Sequence, residues 1–247
     1  MEAPAAEAPT DDGWEIDWKS KLILCGIWGR MGQGKSTLVR SIVKQGVKAG
    51  RWKAIVCFTP TPEEFWYLPE HAIYSKTDWA DKFLGIFAQM DKYKERCAKD
   101  KKDPRMTPML CLLDDTVGSN QKLMYNPTFI NILIRLRKFG PCDLIFTSQI
   151  PLGVPPVTRS LCTEIIAFRT QGHAATKKLF KFMGGMIEGG HREFVEILNK
   201  ATETPYSCLI YTANKSTFDE SYISFTPADP SDEKRWKLKY RLPFNIT

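Results

Sequence analysis

The chain has 247 residues, of which 43% are hydrophobic, and this is enough for one sizeable domain with a single core. Its net charge of +7 fits an acidic partner such as nucleic acid, and it fits a well-solvated basic protein equally. It has no run of eighteen apolar residues, so we expect no membrane span. It has no CxxC pair either, so we expect its seven cysteines to be buried free thiols in a reducing compartment rather than a zinc site or a disulfide framework.

The predicted elements follow an acidic N-terminal arm. Residues 1–17 carry six acidic side chains, no Lys or Arg and no signal-peptide pattern, which predicts a disordered segment. The apolar run KLILCGIW at 21–28 predicts a buried strand, and apolar residues at helical spacing predict a helix over 36–47. AIVCFTP at 54–60 predicts a second buried strand that prolines end.

The middle of the chain alternates helices with strands. Apolar residues recur at helical spacing over 79–93, after a cap at Thr77 or Asp78. MLCLLDD at 109–115 predicts a third buried strand, and an Asn-Pro dipeptide is typical of the start of a helix over 126–137.

The last part of the chain adds strands and two short helices. The strands are expected at 143–149, 162–169, 206–213 and 221–227, and the last two are expected to form a hairpin at a sheet edge. The helices are expected near 173–183 and 191–199. Alternation of buried strands with helices predicts an α/β fold, with a mostly parallel sheet covered by helices on both faces.

Residues 29–36, GRMGQGKS, match the phosphate-loop pattern, also called Walker A. Glycines let such a loop turn its backbone N–H groups towards phosphate oxygens, and the helix that begins near Lys35 adds the positive end of its dipole. We expect Lys35 to bridge the outer phosphates of a nucleotide, most simply ATP, and Ser36 to ligate Mg²⁺. The expected nucleotide contacts are Gly29, Arg30, Met31, Gly32, Gln33, Gly34, Lys35, Ser36 and Thr37.

The third strand ends in two acids, as a Walker B strand does. Asp114 is expected to hold magnesium through its water shell, and Asp115 to act as a general base on the attacking water. Gln149 ends the next strand, and its amide can donate to the terminal phosphate and accept from the water, as a sensor would. A strand between the two Walker motifs, with a polar residue on a later strand, fits the additional-strand, RecA-like class of P-loop NTPase.

Together these motifs resemble the viral genome-packaging ATPases of the FtsK–HerA superfamily, in the poxvirus-type branch shared by large DNA viruses and virophages. The segments that carry the resemblance are GRMGQGKST, AIVCFTPT, LCLLDD, IRLRKFG, LIFTSQ and PPVTRSLCTEIIAFR. They cover roughly residues 20–170 of one domain at 18–247, which leaves 171–247 as a C-terminal extension.

The resemblance implies ATP-driven translocation of double-stranded DNA into a preformed capsid, in an infected host cell. It implies a homo-oligomeric ring, with a capsid or portal protein as a further partner, in which a neighbouring subunit supplies an arginine to each active site. Arg137 matches the basic position of the family pattern, with Arg135 close enough to compete. Arg159 matches the arginine after the glutamine, although Leu161 departs from the Asn that relatives often carry.

Several alternatives stay open at this point. The basic residues that could grip DNA phosphates without reading sequence, each of which also fits a solvated surface, are 92–105, Lys177, Lys178, Lys181 and 234–241. The chain could be another translocase of the same superfamily. It could also be a nucleotide-dependent switch with slow hydrolysis, because Asp115 stands where many relatives carry Glu.

Overall fold

A computed structural model describes residues 22–75, 79–102, 106–115, 121–139, 141–149, 154–183, 187–212 and 222–223. The strands in these residues are β1 (Leu24–Trp28), β2 (Ala54–Phe58), β3 (Ile73–Tyr74), β4 (Met109–Leu113), β5 (Cys142–Ser148), β6 (Glu164–Phe168), β7 (Cys208–Thr212) and β8 (Tyr222–Ile223). The α-helices are α1 (Lys35–Lys48), α2 (Trp79–Lys99), α3 (Gln121–Met124), α4 (Pro127–Ile134), α5 (Pro156–Ser160), α6 (His173–Met183) and α7 (Gly190–Ala201). Short 3-10 helices cover Pro62–Phe65, Glu70–Ala72 and Leu136–Phe139.

The strands form one sheet in the order β3-β2-β4-β5-β1-β6-β7-β8. Neighbouring strands from β3 through β6 are parallel, whereas β7 pairs antiparallel with both β6 and β8. The predicted mostly parallel sheet and the predicted hairpin at its edge are therefore confirmed. Because β5 lies between β1 and β4, the ends of these three strands meet at one edge of the sheet, as the additional-strand class requires.

Apolar side chains cover both faces of the sheet. Successive residues of β1 belong to two different core clusters, since side chains alternate along a strand. One cluster joins the sheet to α2, α4, α6 and α7, and the other joins it to α1. All seven cysteines are buried free thiols, as predicted. No α-helix in the described part of the chain combines the length and apolar composition that crossing a bilayer requires.

The helix expected over 126–137 is shorter than the sequence predicted. Its start is confirmed, because the side chain of Asn126 accepts a hydrogen bond from the backbone N–H of Thr128 at 2.8 Å. Its predicted end at residue 137 is wrong, because α4 ends at Ile134 and a 3-10 helix follows. The tighter turn buries Leu136 completely in the core, which accounts for the early end. The arm at 1–17, the cap at Thr77 or Asp78 and the basic segment at 234–241 lie outside the described residues.

A buried carboxylate at the amino edge of the sheet accepts hydrogen bonds from the segments that lead into two other strands. Asp143 in β5 is only 1% exposed. It accepts hydrogen bonds from the backbone N–H of Ile23 at 2.8 Å, from Arg51 at 2.8 and 3.0 Å, and from the Trp52 indole at 2.7 Å. The chain entering β1, the chain entering β2 and β5 itself thus share one carboxylate, so its charge is both desolvated and well satisfied.

Replacing this carboxylate should destabilise the fold strongly. Asp143→Ala leaves the half-buried Arg51 without its ion-pair partner, and we expect a loss of about 3–5 kcal/mol in the free energy of unfolding, measured by urea denaturation. The control is Asp100→Ala, whose exposed contact with Lys102 at 3.8 Å should contribute at most about 1 kcal/mol. Equal losses for the two variants would contradict this account of the amino edge.

Candidate nucleotide-binding site

A cavity of about 380 Å³, called the first cavity below, lies at the carboxyl edge of the sheet. Its lining residues are Met31, Gly32, Gly34, Lys35, Ser36, Thr37, Pro60, Thr61, Glu64, Asp114, Asp115, Gln149 and Tyr206. The structure therefore brings together most of the predicted phosphate-loop residues, both acids and the predicted sensor glutamine. Gly29, Arg30 and Gln33 do not line this cavity.

The phosphate loop has the backbone conformation that its glycines permit. Gly32 and Gly34 have φ values of 76° and 93°, in the left-handed region that side chains disfavour. The side chain of Gln33 holds the loop from outside, because it accepts from the N–H of Arg30 at 2.6 Å and donates to the carbonyl of Arg169 at 2.6 Å. Gln33 thus fixes the loop against the end of β6 rather than facing the first cavity.

Lys35 is the first residue of α1, so the positive end of the helix dipole and the ammonium point to the same region. Its Nζ donates to the carbonyl of Arg30 at 3.0 Å, across the loop. Burial lowers the pKa of Lys35, and the negative charges of Asp114, Asp115 and Glu64 oppose that shift. The lysine therefore lies among the acids with which it would share a nucleotide.

Asp114 is held between threonines from both neighbouring strands. Only 6% exposed, it accepts from the hydroxyl of Thr59 at 2.9 Å and from the hydroxyl of Thr147 at 2.6 Å. Burial raises the pKa of Asp114, and the two threonine hydrogen bonds oppose this shift, whereas the charges of Glu64 and Asp115 add to it. A cation in the cavity would favour the ionised carboxylate.

Asp115 and Gln149 contact each other at the rim of the cavity. Asp115 has a φ of 45°, in the left-handed region, and its backbone N–H donates to the hydroxyl of Thr147 at 2.9 Å. The amide nitrogen of Gln149 donates to the Asp115 carboxylate at 3.2 Å. As expected from the sequence, β4 and β5 are neighbours, which places the ends of the two strands side by side.

Sequence reasoning missed several residues of this site, among them Thr59, Thr147, Glu64 and Tyr206. The two threonines had a signal, because each is a polar residue at the end of an otherwise apolar strand sequence. Glu64 accepts a hydrogen bond from the hydroxyl of Ser36, and it lies in the 3-10 helix that follows β2. Nothing local in the sequence distinguishes Tyr206, which approaches the phosphate loop only in the folded chain.

The side chains of the first cavity fit magnesium bound together with a nucleotide. Every candidate ligand is a hard oxygen donor: the hydroxyl of Ser36 and the carboxylates of Asp114, Asp115 and Glu64. The Ser36 hydroxyl donates its hydrogen to Glu64, so its oxygen lone pairs remain able to bind a cation. These donors suit magnesium, because magnesium takes few protein ligands and several from phosphates and water.

The structure does not bring the described candidate arginines to this cavity. Arg159 packs its guanidinium over the ring of Phe182 at 3.5 Å, and that ring stacks on Trp28 just before the phosphate loop. Burial lowers the pKa of Arg159. Arg135 forms an ion pair with Asp91 at 3.6 Å. Arg137 lies in the 3-10 helix Leu136–Phe139, and its side chain is outside the described part of the structure.

Removing the Thr147 hydroxyl should impair turnover more than folding. Thr147→Val keeps the volume but deletes the donor to Asp114 and the acceptor for the Asp115 N–H, so we expect kcat for ATP hydrolysis to fall about tenfold to a hundredfold. Steady-state kinetics measure this, with Thr128→Val on the exposed side of α4 as the control. Unchanged kcat would show that these hydrogen bonds do not position the acids.

No family model matches the chain, and no curated protein matches it. Solved structures do match its fold. One is the genome packaging NTPase B204 from Sulfolobus turreted icosahedral virus 2 in complex with ATP-gammaS, with a TM-score of 0.54 and 16% identity over 80% of this chain and 95% of that chain.

Two further solved structures are similar. ATPases 2 and 3 of EssC from Geobacillus thermodenitrificans give a TM-score of 0.54 and 16% identity, over 77% of this chain and 38% of that one. The conjugation coupling protein TcpA of pCW3 gives a TM-score of 0.53 and 16% identity, over 83% of this chain and 63% of that one. These likenesses confirm the fold that the sequence predicted, and they include the kind of protein that its motifs resemble. The chain has the additional-strand P-loop NTPase fold, which it shares with a viral genome-packaging NTPase.

Proposed function

We propose that this chain is an ATP-hydrolysing motor that translocates double-stranded DNA into a preformed viral capsid. The observation that carries the proposal is the convergence of Lys35, Ser36, Asp114, Asp115 and Gln149 on one cavity at the carboxyl edge of an additional-strand sheet. The similar structures support it: one is described as a genome packaging NTPase bound to ATP-gammaS, and another as a conjugation coupling protein.

The residues of the first cavity would have different roles in ATP hydrolysis. The N–H groups of the phosphate loop and Lys35 would bind the outer phosphates, while Ser36 and Asp114 would hold magnesium. Magnesium supplies charge neutralisation on the outer phosphate oxygens. Asp115 would accept the proton of the attacking water, and Gln149 fixes its carboxylate through the 3.2 Å hydrogen bond. Because Asp is shorter than Glu, the water must bind close to the end of β4.

The assembly of the motor is part of the same proposal. We infer a homo-oligomeric ring in which Arg137 or Arg159 of a neighbouring subunit completes each site, because none of the described arginines lines the cavity of its own chain. Residues 18–247 would form one motor domain, acting at the assembly site in an infected cell with a capsid or portal protein. The seven reduced, buried thiols are consistent with a reducing compartment.

The contacts with DNA would be made by basic side chains, which need no sequence readout. Lys177 and Lys181 are exposed on α6, and Lys92 and Lys99 are exposed on α2. Such contacts bind phosphates, so we expect the stimulation by DNA to weaken as the salt concentration rises.

Steady-state ATP hydrolysis, with and without double-stranded DNA across a range of protein concentration, tests the proposal. We expect turnover to rise with DNA, and to rise more steeply than linearly with concentration, because each site needs a neighbour. Lys35→Ala should reduce turnover to background, whereas Lys48→Ala, at the exposed far end of α1, should leave it unchanged.

Three outcomes would separate the possibilities. Full activity of Lys35→Ala would overturn the assignment of the site. Turnover that is flat in both DNA and protein concentration would overturn the motor and favour a slow nucleotide-dependent switch. Stimulation by concentration alone would retain the ring and overturn the DNA coupling.

A further inference from the structure

A second cavity of about 320 Å³ lies on the other side of the phosphate loop from the acids. Its walls are the end of β6, with Phe168 and Arg169, the loop at 202–207 between α7 and β7, and the outer side of the phosphate loop at Gly32 and Gln33. Tyr206 lines this cavity and the first cavity as well. The two cavities are therefore adjacent, with one aromatic ring at their boundary.

The order of the strands gives a nucleotide its direction. The acids and Gln149 follow β4 and β5, which lie on one side of β1, whereas the second cavity lies above β6 and β7 on the other side. A nucleotide whose terminal phosphate faces the acids must run along the phosphate loop away from them. Its nucleoside half therefore leaves the first cavity on the side where the second cavity begins.

Tyr206 is held in a conformation that an ordinary surface tyrosine avoids. Its φ of 66° is in the left-handed region, which is disfavoured for a residue with a side chain. Its ring lies so close to the phosphate loop that a Cβ on Gly34 would be 3.2 Å from the ring Cδ1. The residue is nevertheless 48% exposed, so part of the ring remains available for a ligand. Strained residues of this kind concentrate at ligand sites.

The loop that carries Tyr206 is fixed by its own hydrogen bonds. The hydroxyl of Thr202 donates to the carbonyl of Leu198 at 2.7 Å, which attaches the loop to the end of α7. The hydroxyl and N–H of Ser207 both donate to the carbonyl of Thr204, at 2.5 and 3.1 Å. Gln33 attaches the opposite wall through Arg169. The cavity is thus built before any ligand binds, which reduces the entropy lost on binding.

We propose that the second cavity binds the nucleoside half of the nucleotide, with its base stacked on the ring of Tyr206. This inference rests on the proposed nucleotide site, and it assigns to the α7–β7 loop a role that the sequence motifs do not indicate. Stacking of a base on an aromatic ring accepts any base, because every base has a π-face. The ring would therefore contribute affinity for the nucleoside as a class, and none for inorganic phosphates.

The test compares two ligands that share their phosphates. MgADP and magnesium pyrophosphate are titrated calorimetrically into the full chain and its variants. Tyr206→Gly removes the ring and suits the left-handed backbone, so we expect it to weaken ADP binding about fivefold to a hundredfold. Pyrophosphate binding should change less than about twofold, which also shows that the variant is folded. Tyr125→Ala, at an exposed tyrosine outside both cavities, should bind both ligands as the unchanged chain does.

The contrary outcomes are distinct. If Tyr206→Gly binds ADP normally, or loses ADP and pyrophosphate equally, the ring does not bind the nucleoside and this inference is wrong, while the nucleotide site stands. If the unchanged chain binds neither ligand, the proposed nucleotide site fails and this inference fails with it.

Discussion

The site depends on one constraint, the fixing of the Asp114 carboxylate by hydroxyls from the two strands beside it. In the parallel register, Phe58 of β2, Leu113 of β4 and Phe146 of β5 lie side by side, so the next residues, Thr59, Asp114 and Thr147, also align. Each threonine donates to a different oxygen of the carboxylate. The hydroxyl of Thr147 also accepts a hydrogen bond from the backbone N–H of Asp115, so the geometry of three strands determines the orientation of both acids.

Asp143 and Asp114 are buried carboxylates at opposite edges of the sheet, and the groups that surround them differ. At the amino edge, Asp143 has an arginine, an indole and a backbone N–H around it, and it serves stability. At the carboxyl edge, Asp114 has two neutral hydroxyls and two nearby acids around it, and burial raises its pKa. At the carboxyl edge the fold thus gathers negative charge around Asp114, which is the arrangement that a magnesium–nucleotide site needs.

The sequence predicted the parts of the site that are contiguous or that follow strand ends. The phosphate loop, the two acids and Gln149 all follow apolar runs, and parallel topology brings their strand ends together. It could not predict Glu64 or Tyr206, because their positions depend on how separate segments pack against the loop. The end of α4 was also beyond prediction: the local residues favour a longer helix, and burial of Leu136 overrides that preference.

The central claim is that the first cavity binds a magnesium–nucleotide complex, and calorimetric titration with ATP-gammaS tests it most directly. The account predicts one nucleotide per chain, and an affinity at least about tenfold lower in EDTA than in Mg²⁺, because Ser36 and Asp114 would hold the magnesium ion that accompanies the nucleotide. Asp114→Asn should lose this dependence on Mg²⁺ while retaining the affinity measured in EDTA. Absence of binding, or the same dependence on Mg²⁺ in both proteins, would contradict the account.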